Sequence, residues 1–356
     1  MEKPATKAIN MTEQNAQSHG KPLPSHADGA GYRPIGDYGI IGDLHTVALV
    51  STEACIDFMC FPFFDSPSIF CALLDNGKGG FFSLSPRLKE VQPKQFYLPD
   101  TNILLSRYLS HDGVAEISDF MVVDEREKPG HQLVRRAKAV RGDIEFTMEC
   151  RPRFDYARAP HHARQLADNA VAFESNASDG LKVRLIATVP LMIDDKGDAT
   201  ATFLLRKGET ALFIFEQADG ENEEVRTNLE HASASFKSTL NYWQNWVRRM
   251  KYQGRWREMV ARSALLLKLL TFRPTGALVA APTFGLPETI GGERNWDYRY
   301  TWIRDASFTI YALIRLGYTE EAGNFMGFIE ERCRELADGA ELQIMYGIDG
   351  RKDLNE

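Results

Sequence analysis

The residue periodicity changes once, near residue 218, and that change restricts the fold more than any other feature of the chain. Upstream, from Tyr32 to about Gln217, short apolar or alternating runs are separated by turn residues. The runs include 46–50 (TVALV), 81–84 (FFSL), 103–108 (ILLSRY), 144–150 (IEFTMEC), 183–188 (VRLIAT), 200–205 (TATFLL) and 211–215 (ALFIF). Between them stand Asp75-Asn76-Gly77, Asp112-Gly113, Asp179-Gly180 and Lys207-Gly208. Period-two runs cut by Gly, Asn and Asp predict antiparallel sheets, and the length suits two packed face to face. No fixed repeat is visible, which argues against a propeller. Residues 32–217 are therefore expected to form an N-terminal antiparallel β-sandwich.

Downstream the period becomes helical. Residues 218–224 (ADGENEE) read as a linker, and Phe236, Leu240, Trp243 and Val247 mark one face of a helix over 229–249. A second helix is expected over 255–272, apolar nearly all round at 261–270 and ended by Pro274 and Gly276. A long loop follows to Asp305. A third helix is expected over 306–316, ended by Gly317. A fourth runs from Thr319 to about Leu336, closed by Asp338-Gly339, and residues 342–348 look extended. Residues 1–30 are polar, with no basic-then-apolar leader, and read as part of a disordered tail. The expected organisation is multidomain β + α: tail 1–31, sandwich 32–217, linker and linker helix 218–254, and helices over 255–356.

Composition removes several function classes. Lys+Arg number 42 against 49 Asp+Glu, a net charge of −7, so a basic nucleic-acid footprint is absent. Residues 248–251 (RRMK) fit a solvated helix face. The 5 cysteines follow no zinc-ligand spacing, which points to no structural metal and to a reducing, cytoplasmic setting. No apolar run approaches the roughly 20 residues of a membrane span. His161-His162 read as a polar loop without a third ligand, and no phosphate-binding glycine pattern is present, so no cofactor is expected. Oligomeric state has no signature here. Glu320-Glu321 and Glu330-Glu331 read as solvated helix faces.

The chemistry concentrates in residues 291–311 (GGERNWDYRYTWIRDASFTIY). Trp296, Tyr298, Tyr300 and Trp302 alternate with Asp297, Arg299, Arg304 and Asp305. Aromatic faces beside planar charged groups suit a sugar: ring C–H faces stack on indole or phenol, and hydroxyls pair with carboxylate and guanidinium. Each residue alone also has a structural reading. Asp305 would cap a helix beginning at Ala306, Arg304 would pair with a neighbouring carboxylate, and the tryptophans would anchor a core. A loop this long inside a compact domain favours function.

Residues 300–309 (YTWIRDASFT), preceded by 294–298 (RNWDY), resemble glycoside hydrolase family 15, the family of glucoamylases, glucodextranases and bacterial trehalases. The N-terminal part is similar to the trehalase-like N-terminal domain, through 35–43 (IGDYGIIGD), 55–57 (CID), 64–67 (FDSP), 133–136 (LVRR) and 151–156 (RPRFDY). The resemblance implies an (α/α)6 barrel of helical hairpins after the sandwich, and inverting hydrolysis of α-glucosidic bonds at non-reducing ends. The partner it implies is an α-glucoside or oligosaccharide substrate. Carried over, Trp302 packs on the terminal glucose, Arg304 and Asp305 bond its hydroxyls, and Tyr300 and Trp296 contribute behind them.

One departure follows from the same resemblance. The family's two catalytic glutamates lie beyond the stretch resembling residues 346–350, so no catalytic residue is assigned among these 356. Twelve barrel helices need on the order of 200 residues, and 255–356 is about half of that. The helical part is thus expected to be an incomplete (α/α)6 barrel, truncated within the catalytic domain, with no hydrolysis by the chain as it stands. The alternative reading is a catalytically inactive product or a carbohydrate-binding module.

Overall fold

The computed structural model describes residues 31–123, 131–218, 229–292, 294–336 and 341–354, with side chains of the long linker helix from residue 233. Most of the expected tail, most of the 218–224 linker and Asp338-Gly339 lie outside the described residues.

Sixteen strands form two eight-stranded antiparallel sheets. The first contains β1 (Tyr38–Gly42), β2 (Val47–Ser51), β3 (Cys55–Cys60), β4 (Ser68–Phe70), β5 (Phe81–Pro86), β10 (Ile144–Arg151), β14 (Met192–Ile193) and β15 (Ala199–Leu205). The second runs in the order β11 (His161–Ala167), β12 (Ala170–Ser175), β13 (Lys182–Ala187), β16 (Thr210–Gln217), β9 (Gln132–Arg141), β8 (Val114–Met121), β7 (Leu104–Leu109), β6 (Gln92–Tyr97). One core joins the inner faces, with Phe82, Phe146 and Met148 of one sheet packing against Ile117, Val183, Leu185, Phe213 and Phe215 of the other. Strand β10 shows the underlying rule: Ile144, Phe146, Met148 and Cys150 point in, and the residues between them are half-exposed. Each fully buried side chain of this kind contributes about 1.5–3 kcal/mol.

Strand β16 is apolar on both sides because both sides are covered. Ala211, Phe213 and Phe215 enter the core between the sheets. Leu212 and Ile214 face outward with Ile103, Phe120 and Val134, under Phe236 and Leu240 of α2 (Leu229–Arg248). Farther along α2, Trp243, Trp246 and Val247 join a second core with α3 (Arg257–Leu269), α4 (Ile303–Leu316) and α5 (Thr319–Arg334). Leu44, Val47 and Phe64 of the sandwich enter the same core. The one helix therefore has an apolar stripe that serves two partners.

Three local expectations need correction. Helix α4 begins at Ile303, not Ala306, so Asp305 lies in its first turn and makes no capping bond; Gly317 ends it in the left-handed conformation. His161 and His162 lie in edge strand β11, not a loop. Its sequence is polar on both faces, which suits an edge and hides the strand period. Glu321 is 1% exposed, not solvated. Its Oε1 accepts from the Trp246 indole at 2.5 Å and lies 3.0 Å from Lys268 Nζ.

Burial alone would raise the Glu321 pKa, but the Lys268 charge and the Trp246 bond hold it below the usual 4.5. A lowered folded-state pKa means that the unfolded chain binds the proton more readily. The stabilisation is complete above the unfolded value and is lost as pH falls through the folded value. Glu321→Gln should therefore flatten the decline of urea stability below about pH 4.5. Superimposable pH profiles for the two proteins would rule out this contribution.

Candidate functional site

The aromatic loop is held by paired backbone rather than by regular strands. Ala281 N–H donates to the Tyr298 carbonyl at 2.9 Å, and Gly285 N–H to that of Trp296 at 3.1 Å. The chain then forms β17 (Thr301–Trp302), which pairs with β18 (Met345–Tyr346), and turns directly into α4. Residues 300–305 thus pass from an anchored strand into the first helical turn. The extended stretch expected at 342–348 contains only this short strand.

Each candidate side chain has a definite place. Trp302 is 7% exposed; its indole N–H donates to the Asp297 carbonyl at 2.9 Å. Its ring meets Trp296 edge-on and Tyr298 at a tilt, both at 5.8 Å between centroids. Trp296 is half-buried and donates to Glu288 at 3.1 Å. Tyr300 is buried, with the Arg351 guanidinium 5.5 Å from its ring. Arg304 projects outward, 65% exposed, pairs with Asp305 at 2.9 Å and lies 5.7 Å from the Trp302 ring. Trp302, Trp296, Arg304 and Asp305 therefore form one contiguous wall: a buried and a half-buried tryptophan beside a more exposed guanidinium–carboxylate pair. Tyr300 backs it from the interior.

Beneath the wall lies a clamp whose role the sequence did not assign. Arg299 is buried and holds Asp297 through two nitrogens, at 2.7 and 3.0 Å. It also donates to the Ser66 carbonyl at 2.9 Å and to Cys60 Sγ at 3.3 Å. Burial works against the Arg299 charge, but the Asp297 bonds outweigh it and raise its pKa. Burial pushes the Cys60 thiol up to about 11 despite Arg299 beside it. Asp65 of the same sandwich turn meets Arg351 at 2.7 Å. Its pKa is raised by burial, against the pull of Arg351. The 64–67 turn thus ties the sandwich to the aromatic loop before α4 and to the segment after α5.

The single turn α1 (Phe154–Ala157) adds to this support. Asp155, Tyr156 and Ala157 have φ of 49°, 57° and 65°, three successive left-handed residues. Each such residue costs roughly 1–2 kcal/mol. The turn sets the Tyr156 ring edge-on to Phe284, 5.8 Å away, with Arg299 5.6 Å from it. This places the 151–156 motif under the aromatic loop. The feature was legible only as a motif, because nothing in its composition announces a left-handed turn.

Among the described residues, a cleft of about 450 Å³ opens elsewhere, between α2, α3 and α5, beside Trp246, Lys268 and Arg273. None of its lining residues belongs to the aromatic loop. No described helix is long and apolar enough to cross a membrane. All five cysteines are free thiols, with only Cys333 exposed.

Comparison with known proteins gives two family matches. Residues 26–239 match the trehalase-like N-terminal family, and residues 254–356 match glycosyl hydrolases family 15. The trehalase of Mycolicibacterium smegmatis is 35% identical over 349 residues, covering 91% of this chain and 51% of that protein. The trehalase of Mycobacterium tuberculosis is 33% identical, covering 91% and 50%. That of Thermoplasma volcanium is 32% identical, covering 92% and 51%. The chain spans about half the length of the curated relatives it matches.

Proposed function

The chain belongs to glycosyl hydrolases family 15 and carries a trehalase-like N-terminal domain, and from that premise we propose that it supplies the sugar-holding wall of a trehalose-hydrolysing enzyme. The observation that carries the reading is the convergence of Trp302, Trp296, Arg304 and Asp305 at the start of α4. A terminal glucose would lie against the tryptophan pair. Arg304 would donate to its hydroxyls and Asp305 would accept from them, charged bonds worth about 1.5–3 kcal/mol each. Tyr300 would hold the wall from behind.

The chemistry would be inverting. A carboxylic acid protonates the glycosidic oxygen while a carboxylate directs water to the opposite face, the two roughly 6.5–9.5 Å apart. The proposal assigns neither group to residues of this chain. It places α3, α4 and α5 as the first helices of an (α/α)6 barrel whose further helices bring the acid and base. Domain limits of 32–217 for the sandwich, 218–254 for the linker and its helix and 255–356 for the barrel portion belong to the same reading, as do a cytoplasmic location and other α-glucosides as secondary substrates.

Proton NMR of a chain extended to the length of its relatives tests this. Inverting cleavage of trehalose releases one β- and one α-glucose per turnover; release of α-glucose alone would overturn the mechanism, and no release would overturn the substrate. Saturable trehalose binding without turnover would favour a binding module.

A further inference from the structure

A second cluster of chemistry-bearing side chains lies outside the aromatic loop. Asp43 and His45 stand on the turn between β1 and β2, and His131 stands just before β9 in the facing sheet. His131 Nδ1 is 2.9 Å from Asp43 Oδ2, and His45 Nδ1 is 3.9 Å from Asp43 Oδ1. One ligand atom from each residue lies within 4.8 Å of the other two. The two imidazoles meet edge-on, 4.7 Å between centroids.

The backbone builds this arrangement. Asp43 is 4% exposed, and its Oδ1 accepts the N–H groups of His45 and Thr46 at 2.9 and 3.0 Å, which fixes the carboxylate with Oδ2 toward His131. Leu44 between them has φ of 70°, rare for a leucine, and its side chain is buried in the helical core. That conformation keeps positions 43 and 45 on one side of the turn. Phe272 packs edge-on against His45 at 5.7 Å, and Phe61 and Phe63 against His131 at 6.0 and 5.5 Å. A polar donor set inside an apolar shell is the usual setting of a metal ion.

We propose that Asp43, His45 and His131 bind one borderline transition-metal dication, Zn²⁺ foremost, which pins the β1–β2 turn to the facing sheet beneath Phe272. Two imidazoles and one carboxylate suit zinc or cobalt, whereas Mg²⁺ and Ca²⁺ require oxygen-rich shells. Ligand bonds of about 2.0–2.1 Å place donor atoms roughly 3.4 Å apart around a tetrahedral ion, so closure needs the His45 ring to shift by about 1 Å. The ion takes the place of the hydrogen bond between His131 Nδ1 and Asp43 Oδ2, and the neutral His131 ring then carries its single proton on Nε2. Water takes the fourth position. The site is independent of the sugar-holding wall and of the proposed hydrolysis.

The test uses the whole chain, stripped with a chelator and then dialysed against Zn²⁺ or Co²⁺. The expected result is one tightly held ion per chain, a tetrahedral cobalt spectrum, a raised melting temperature, and no displacement by excess Mg²⁺ or Ca²⁺. His131→Asn keeps a hydrogen bond to Asp43 but removes the imidazole; it and His45→Ala should each weaken binding at least tenfold. His161→Ala/His162→Ala should leave it unchanged. Failure of wild type to retain an ion, or binding indifferent to both site variants, overturns the proposal. Should a variant not fold, absence of the tetrahedral cobalt spectrum in wild type overturns it alone.

Discussion

Replacing Arg135 with alanine should cost about 3–5 kcal/mol of folding stability, the range for breaking a buried ion pair from one side. Arg135 and Asp119 are both 0% exposed and meet at 2.8 Å in the middle of the sandwich. The guanidinium also donates to the Ala54 carbonyl at 2.5 Å and to that of Phe82, whose ring lies 4.7 Å away. Its removal leaves the Asp119 carboxylate without its guanidinium in an apolar interior and takes one donor from each of the Ala54 and Phe82 carbonyls. Urea unfolding measures the effect through the midpoint. The companion Arg135→Met/Asp119→Leu should recover more than half of the loss, because it removes both charges at once. A cost below about 1 kcal/mol for Arg135→Ala would mean that water reaches the Asp119 carboxylate.

The other large effect concerns Asp305 in the chain extended to the length of its relatives. If Asp305 accepts from two sugar hydroxyls, Asp305→Ala forfeits two charged bonds, about 3–6 kcal/mol together. At 1.36 kcal/mol per factor of ten, that is a fall of roughly 10²–10⁴ in kcat/KM for trehalose. Folding stability should barely move, because Asp305 is otherwise paired only with the exposed Arg304 among the described residues. Exposed pairs of that kind contribute about 0–1 kcal/mol. A decrease under tenfold would reduce Asp305 to a surface partner of Arg304.

These two arginines show how far a sequence carries. The strand period places Arg135 and Arg136 on opposite faces, yet it gives no reason for a charge to point inward. Arg135 does so because Asp119 stands across the ladder, and Arg136 reaches outward to lie 5.4 Å from Phe236 of α2. Strands such as β10, with one buried and one half-exposed face, were legible from alternation alone. Strand β11 was not, because a polar edge has no contrast between its faces. The start of α4 was displaced by three residues because Asp305, a good capping type, stands in the first turn, while Trp302 occupies the cap without a side-chain bond.

At the candidate wall, residue chemistry singled out a loop, and the fold gave each of its side chains a place. Tyr300 and Trp302 look alike in sequence and both are buried, but Tyr300 lies beside Arg351, whereas Trp302 packs on Trp296 and Tyr298. Arg299 resembles Arg304, yet one is a buried clamp on the sandwich and the other an exposed member of the wall. Asp43 and His131 are 88 positions apart, so no spacing rule brings them together.

The two-sided stripe of α2 also governs the order of events as the chain leaves the ribosome. All sixteen strands emerge before Phe236 and Leu240, so the sandwich can close its inner core while Ile103, Phe120, Val134, Leu212 and Ile214 still face water. That greasy outer patch waits for the helix, and the helix in turn waits for α3 to α5 to cover Trp243 and Trp246. The nascent protein is therefore stickiest just after the sandwich has closed. A pause in translation near residue 218 would lengthen that interval, and a holdase acting there would have a defined surface to shield.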